Sequence, residues 1–150
     1  MSIGEMSRQS GCKVQTIRYY EQIGLMPAPG RSAGNQRLYD PGHLDRLGFI
    51  RHGRELGFSL PAIRELLSLG DAPGTSCEAA DAIARAQLGQ VESRIARLQA
   101  LRRELARMVA ECAGGRIADC RVIEVLADHS QCLSPSHQAA EPAGAGFVPV

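Results

Sequence analysis

Residues 77–112 contain no proline and a single glycine, Gly89. Apolar side chains recur there in two interleaved seven-residue columns. One column is Cys77, Ala84, Val91, Leu98, Leu105 and Cys112, and the other is Asp81, Leu88, Ile95, Arg102 and Val109. A continuous helix over this span would be roughly 50 Å long. The seven-residue spacing is that of a coiled-coil seam, interrupted at the polar positions Asp81 and Arg102. An amphipathic helix packed on its own domain would show the same columns, but too little chain remains to cover so long a stripe. The expectation is a helix that pairs with a second copy of the chain.

The residues before this helix divide into short elements. Ile3 to Gly24 carries two brief helical patterns split at Gly11-Cys12, with Ile3, Met6, Val14, Ile17 and Tyr20 available for an inner face. A short helix, a glycine-containing turn and a second helix is the helix-turn-helix pattern. Leu25 to Tyr39 holds Pro27, Pro29, Gly30 and Gly34 and cannot be helical. Within it, residues 31–39 read as two short strands around an Ala-Gly-Asn turn, a hairpin wing. Asp40 can cap a helix that has Pro41 at its first position, and Ser59 can cap another, before the break at 70–76. The residues after about 133 are rich in Ala, Pro and Gly and read as an unstructured tail.

The predicted fold is mainly α: a winged helix-turn-helix module with a small β-hairpin wing, a long antiparallel coiled-coil dimerisation helix and a metal-binding loop. The expected segments are 1–70 for the winged module, 71–112 for the hinge and dimer helix, 112–132 for the loop and a short helix, and 133–150 for the tail.

Charge points the same way. Residues 1–64 hold nine Lys/Arg against five Asp/Glu, whereas the remainder holds eight against eleven. A basic first half suits a nucleic-acid partner. The amino terminus does not read as a secretory signal, and no run of about 18 apolar residues suggests a membrane span. A cytoplasmic location follows as an expectation. Thiols stay reduced there, so the five cysteines read as metal ligands, reactive groups or core residues rather than disulfides.

The second short helix would begin near Lys13 and carry Gln15, Thr16, Arg18, Tyr19 and Tyr20. Arginine can read guanine edges, Thr and Gln can bond to bases or phosphates, and Tyr hydroxyls commonly hold phosphates. The wing adds Arg31, Asn35, Arg37 and Tyr39, and the following helix offers Arg51 and Arg54 to the DNA backbone. Tyr20 and Ile17 fit a core position as well. The double-stranded DNA reading rests on the order of the elements more than on any one side chain.

The string Thr16-Ile-Arg-Tyr-Tyr-Glu21, then Gly24-Leu, then residues 31–39, Phe49-Ile-Arg and Leu56-Gly-Phe-Ser-Leu60, resembles the amino-terminal signature of MerR-family regulators. The resemblance covers residues 1 to about 125. It implies a recognition helix carrying Arg18 and Tyr19, and wing residues Arg31 and Arg37 that clamp the DNA backbone. It also implies a homodimer that distorts promoter DNA so that RNA polymerase can use it.

The cysteines have their own geometry. Cys77 and Cys112 lie on one stripe at opposite ends of the long helix and cannot share an ion within it. In an antiparallel dimer, Cys77 from the partner subunit would lie near Cys112, giving two equivalent sites per dimer. Seven residues, two of them glycines, separate Cys112 from Cys120, so that loop can curl to face both sulfurs to one ion. Cys77 at a helix start favours thiolate. Three thiolates suit a thiophilic divalent ion: cadmium, zinc or lead, with mercury next. Ordinary buried cysteines would leave the placement at both helix ends and the glycine loop as coincidences. His129, Cys132 and His137 follow the loop. One of them could complete a tetrahedral site, the three could collect metal together, or all could lie in a solvated tail. Cys12, in the turn of the DNA module, reads as a small buried residue, and His43 and His52 as helix-surface residues.

The family resemblance implies a sensor loop with a cysteine at each end, here Cys112 and Cys120. It further implies a third cysteine, here Cys77, in members that answer to divalent ions, where copper-type members resemble a serine. The seven-residue spacer, however, is like that of copper sensors, while mercury sensors have a longer one. The reading is a metal-responsive transcriptional regulator, an activator when metal-bound. A Cu(I)-responsive regulator of the same family and a metal-buffering protein without regulatory DNA binding are the alternatives. No Ser/His/Asp arrangement, phosphate-binding glycine loop or paired-carboxylate pocket argues for an enzyme.

Overall fold

The computed structural model describes residues 1–112, 114–133 and 137. The chain forms two compact units, Met1–Asp81 and Ala82–Val150.

The first unit opens with α1 (Ile3–Ser10) and α2 (Val14–Gln22). Ser2 caps α1 in a reciprocal box with Glu5, satisfying two otherwise orphaned N–H groups. The turn between the helices depends on Gly11. Its φ of 69° is left-handed, and a Cβ there would lie 2.5 Å from the Arg51 guanidinium, which donates to Ser10 O. The wing is a two-stranded antiparallel ribbon, β1 (Gly30–Arg31) and β2 (Arg37–Leu38), with Arg31 opposite Arg37. Asn35 takes the left-handed position in its turn, φ 62°, which asparagine tolerates better than most residues.

The helices α3 (Pro41–Glu55) and α4 (Leu60–Gly70) follow, capped by Asp40 and Ser59 as expected from the sequence. The core joins Met6 and Ile17 of the helix pair, Leu25 and Met26 of the connection, Leu47 and Ile50 of α3, and Ile63 and Leu67 of α4. Cys12 is half-buried against this core, in line with its small-residue reading. His43 is not on the helix surface. Its ring folds back so that Nδ1 accepts from Asp40 N–H at 3.3 Å, and it meets Tyr39 edge-on, which buries it. His52 is exposed.

The long helix α5 spans Glu78–Glu111. In the second unit its expected seam is uncovered: Leu88, Ile95, Leu98, Leu105 and Val109 are all exposed, Leu98 at 63% and Val109 at 71%. After α5 comes a 3-10 turn (Ile117–Asp119), the short helix α6 (Arg121–Ala127) and a second 3-10 turn (His129–Gln131). Met108 of α5 and Val125 of α6 are buried in this unit. The expected tail lies outside the described residues, apart from Leu133 and His137. No helix among the described residues is long and apolar enough to cross a membrane.

Candidate nucleic-acid interface and metal loop

Lys13 is the N-cap of α2, so the outer face of that helix begins with a cation. Lys13, Gln15, Arg18 and Tyr19 are exposed, and Thr16 is half-buried among them. A cleft beside this face is lined by Arg18, Glu21 and Gln22 of α2 and by Arg31 and Arg37 of the wing. Three guanidinium groups from two elements thus converge, the arrangement that phosphate and base-edge contacts require. Arg31 donates to the Asn35 backbone and side-chain oxygens, both at 3.2 Å, which ties the wing tip to its own strand.

Three expected DNA contacts have other employment. Tyr20 is 8% exposed and Tyr39 3% exposed, both inside the core. Both rings belong to the core cluster with Met6, Ile17 and Leu47. The Tyr39 hydroxyl donates to Glu21 Oε1 at 2.5 Å. Arg54 is half-buried and donates to Phe58 O at 2.9 Å, so it holds the α3–α4 corner rather than standing free.

Further residues, which carry no sequence signal of their own, aim α2. Glu21 takes Tyr39 on one oxygen and Arg37 on the other, at 3.3 Å, docking the wing onto the helix. Arg46 donates to Leu25 O at 2.8 Å, and Arg64 to Ile23 O and Gly24 O, so both satisfy carbonyls where α2 ends. Glu21 lies within the Tyr-Tyr-Glu string, but no spacing there signals its contact with the wing.

Burial and the Glu21 carboxylate push the Tyr39 hydroxyl up to about 12. The folded state therefore keeps this proton over a range in which the unfolded chain has lost it. The resulting stability is intact below the ordinary tyrosine value near 10 and is lost as pH rises through about 12. A phenolate absorbance titration should show a late step coincident with unfolding. The late step should vanish in Tyr39→Phe.

In the second unit the structure brings Cys112 and Cys120 together, close enough for the Cys112 side chain to influence the Cys120 thiol. The loop between them reverses through Gly114 and Gly115, with φ of 74° and 98°. Cys120 is the N-cap of α6, and its thiol lies near the Ile123 and Val122 N–H groups without a formed capping bond. Those two donors, with Cys112, hold its pKa below the usual thiol value. The pair is a donor set suited to a soft cation. Cys77 is exposed at the start of α5, where its carbonyl accepts from Asp81 N–H at 2.9 Å. It belongs to the first unit, and Cys112 and Cys120 to the second.

The expected further ligands His129, Cys132 and His137 also meet one another, with ligand atoms all within 4.8 Å. Burial raises the Cys132 thiol, as does neighbouring Glu104, in contrast to Cys120.

Comparison with known proteins matches these features. A family model for MerR HTH family regulatory proteins matches residues 1–69, and one for the MerR DNA-binding region matches residues 44–108. The chain is 42% identical over 127 residues to the HTH-type transcriptional regulator ZntR of Escherichia coli (strain K12), covering 83% of this chain and 90% of that protein. Its fold matches the transcription regulator PbrR691 from Ralstonia metallidurans CH34, solved in complex with lead(II). The TM-score is 0.73 at 42% identity, over 84% of this chain and 98% of that one. It also matches MerR from Bacillus megaterium MB1, solved in complex with mercury(II). There the TM-score is 0.65 at 29% identity, over 85% of this chain and all of that one. With the helix-turn-helix, the arginine-lined wing cleft and the long helix all present, the chain belongs to the MerR family and is a DNA-binding transcriptional regulator, not an enzyme.

Proposed function

We propose that this chain is a metal-responsive regulator that binds promoter DNA as a homodimer and answers to a thiophilic divalent ion: cadmium, zinc or lead before mercury. The observation that carries the reading is the meeting of Cys112 and Cys120 across a glycine loop, with Cys120 at the N-terminus of α6. Two thiolates preorganised in this way fit a soft cation, and the partner's Cys77 supplies the third. A bound ion would contribute charge neutralisation between sulfurs that otherwise repel as thiolates. The relatives solved with lead(II) and mercury(II) support the choice of ion class.

The uncovered apolar column of α5 supports the dimer. Its Leu and Ile side chains are too numerous to be left in water at about 25 cal/mol per Å². On the DNA side, Lys13, Gln15, Thr16, Arg18 and Tyr19 of α2 face the major groove, and Arg31, Asn35 and Arg37 of the wing hold the backbone. Transcriptional activation requires that the ion bind one of two dimer states more tightly, and that state sets the spacing of the two DNA modules. RNA polymerase at the promoter is the machinery this would serve, in the cytoplasm.

The test is transcription in vitro from an operator recovered by binding selection. Cadmium, zinc or lead should raise transcript yield, and Cys120→Ser should abolish the rise without weakening operator binding. If copper(I) is the best inducer and Cys77→Ser leaves it unchanged, the copper reading replaces this one. Metal uptake with no salt-sensitive, sequence-specific complex would mark a metal buffer. Arg18→Ala should weaken operator binding by about 1–3 kcal/mol and relax sequence preference. Arg31→Ala should instead weaken binding to all sequences and lower the salt slope by about one, as a phosphate contact does. Electrophoretic mobility shifts at several salt concentrations separate the two.

A further inference from the structure

Beyond the thiolate loop, the second unit carries another cluster of soft and borderline donors. His129 and Cys132 stand three residues apart across the 3-10 turn His129–Gln131, and Cys132 N–H donates to His129 O at 3.0 Å. Side chains at this spacing eclipse on a 3-10 turn, so imidazole and thiol project to one side. Asp128 caps the turn through Ser130 N–H at 3.0 Å. The His137 ring closes against His129 edge-on, with centroids 5.0 Å apart.

The cluster is fixed to α5 by its backbone. Leu133 N–H donates to Glu104 Oε2 at 2.6 Å, Arg107 donates to Gln131 O, and Arg97 Nε donates to His137 O at 2.6 Å. Glu104 is only 4% exposed and pairs with Arg107 at 2.9 Å. Its carboxylate also neighbours the Cys132 thiol. A buried anion beside a thiol and two imidazoles is an environment in which an added cation is favoured. Arg107 opposes this effect but is already engaged by Glu104 and Gln131 O.

We propose that His129, Cys132 and His137 form a second metal site in each chain, of the His2Cys type, which takes a borderline divalent ion such as zinc(II) or cobalt(II). The three ligand atoms lie within 4.8 Å of one another. Tetrahedral zinc bonds of about 2.0–2.3 Å need ligand separations of roughly 3.3–3.8 Å, so a closure of about 1 Å completes the site. Imidazole donors shift preference away from lead and mercury and toward zinc-like ions. Cys132 and both histidines are reachable, since His129 is exposed and the other two are half-buried. A fourth position is left for water or for Glu104, which otherwise orients the ligand segment from behind. The site shares no residue with the Cys112–Cys120 loop and stands or falls independently of it.

Cobalt(II) is the probe. In a full-length chain carrying Cys77→Ser, Cys112→Ser and Cys120→Ser, one cobalt(II) per chain should bind. It should give tetrahedral d–d absorption and one sulfur-to-cobalt charge-transfer band. Adding Cys132→Ser should remove that band, and Cys132→Ser or His137→Gln should each weaken binding by about 100-fold or more. The same band should appear when cobalt(II) is added to wild-type protein already filled with one mercury(II) per chain, which covers the case of a poorly folding triple variant. Absence of cobalt binding in both preparations, or a charge-transfer band that survives Cys132→Ser, overturns the proposal. Failure of the thiolate loop would be read separately, in Cys112→Ser, which leaves this cluster intact.

Discussion

Cys112→Ser should lower cadmium affinity at the loop by roughly 10³-fold while leaving thermal unfolding of the metal-free protein unchanged. A structural thiolate-rich site supplies on the order of 10–16 kcal/mol in total, so one ligand of three accounts for about 4 kcal/mol. A serine hydroxyl keeps its proton at neutral pH and offers a hard oxygen in place of a soft anion. Cys112 is exposed, so its replacement removes no packing. Cys120→Ser should lose metal similarly. The Cys120 side chain makes no capping bond to α6, and serine is a favoured N-cap residue, so the helix should persist. Circular dichroism and calorimetric titration on the same samples check both halves of the expectation. Loss of affinity together with loss of helix would mean that the cysteines are structural.

Ile17→Ala should give the largest loss of stability and should abolish operator binding as well. Ile17 is fully buried at the centre of the helix pair, packed in the same core as Met6, Leu47, Ile50 and Ile63. Truncating a buried Ile to Ala costs about 2–5 kcal/mol, a large part of the roughly 5–15 kcal/mol that a domain has. The melting temperature should fall by roughly 10 °C or more, measured at fixed protein concentration because a dimer is involved. The same side chain sets the roll of α2, so the cavity loosens the helix that carries Arg18 and Tyr19. Arg18→Ala, by contrast, should weaken DNA binding with no change in melting temperature. Comparing the two variants separates presentation of the recognition helix from the contacts it makes.

Much of this architecture can be read in the chain because it is encoded locally. Asp40 followed by Pro41, Ser59 before Leu60, and Gly11 between two short apolar patterns each state a helix boundary through a backbone requirement. The two columns of α5 announce an uncovered seam because a period of seven repeats over many turns. The sequence does not reveal which face a tyrosine takes when both faces are chemically acceptable. Tyr20 and Tyr39 have the amphipathic character of DNA contacts, yet tertiary packing draws both into the core. His43 sits on a helix and reads as exposed, but its capping bond to Asp40 turns the ring inward. Arg54 looks like a free cation and serves the Phe58 carbonyl instead.

The site divides in the same manner. Cys112 and Cys120 can be paired from the sequence because two glycines lie between them. The cluster at 129–137 depends on bonds from Leu133 to Glu104 and from His137 to Arg97, across 29 and 40 residues, and no periodicity signals those. Glu21, which docks the wing, is likewise invisible until Arg37 and Tyr39 are seen beside it.

The central claim is that the sensing site is built from two protomers, and mixed dimers test it most directly. Two variants are prepared in a Cys132→Ser background, one carrying Cys77→Ser and the other carrying Cys112→Ser with Cys120→Ser. Each alone should show weak cadmium binding and a diminished sulfur-to-cadmium charge-transfer band. On mixing and exchange, each mixed dimer should regain one tight site, made of Cys112 and Cys120 from the first variant and Cys77 from the second. Wild-type affinity in the Cys77→Ser dimer, or no recovery in dimers shown to have exchanged, would contradict the shared site.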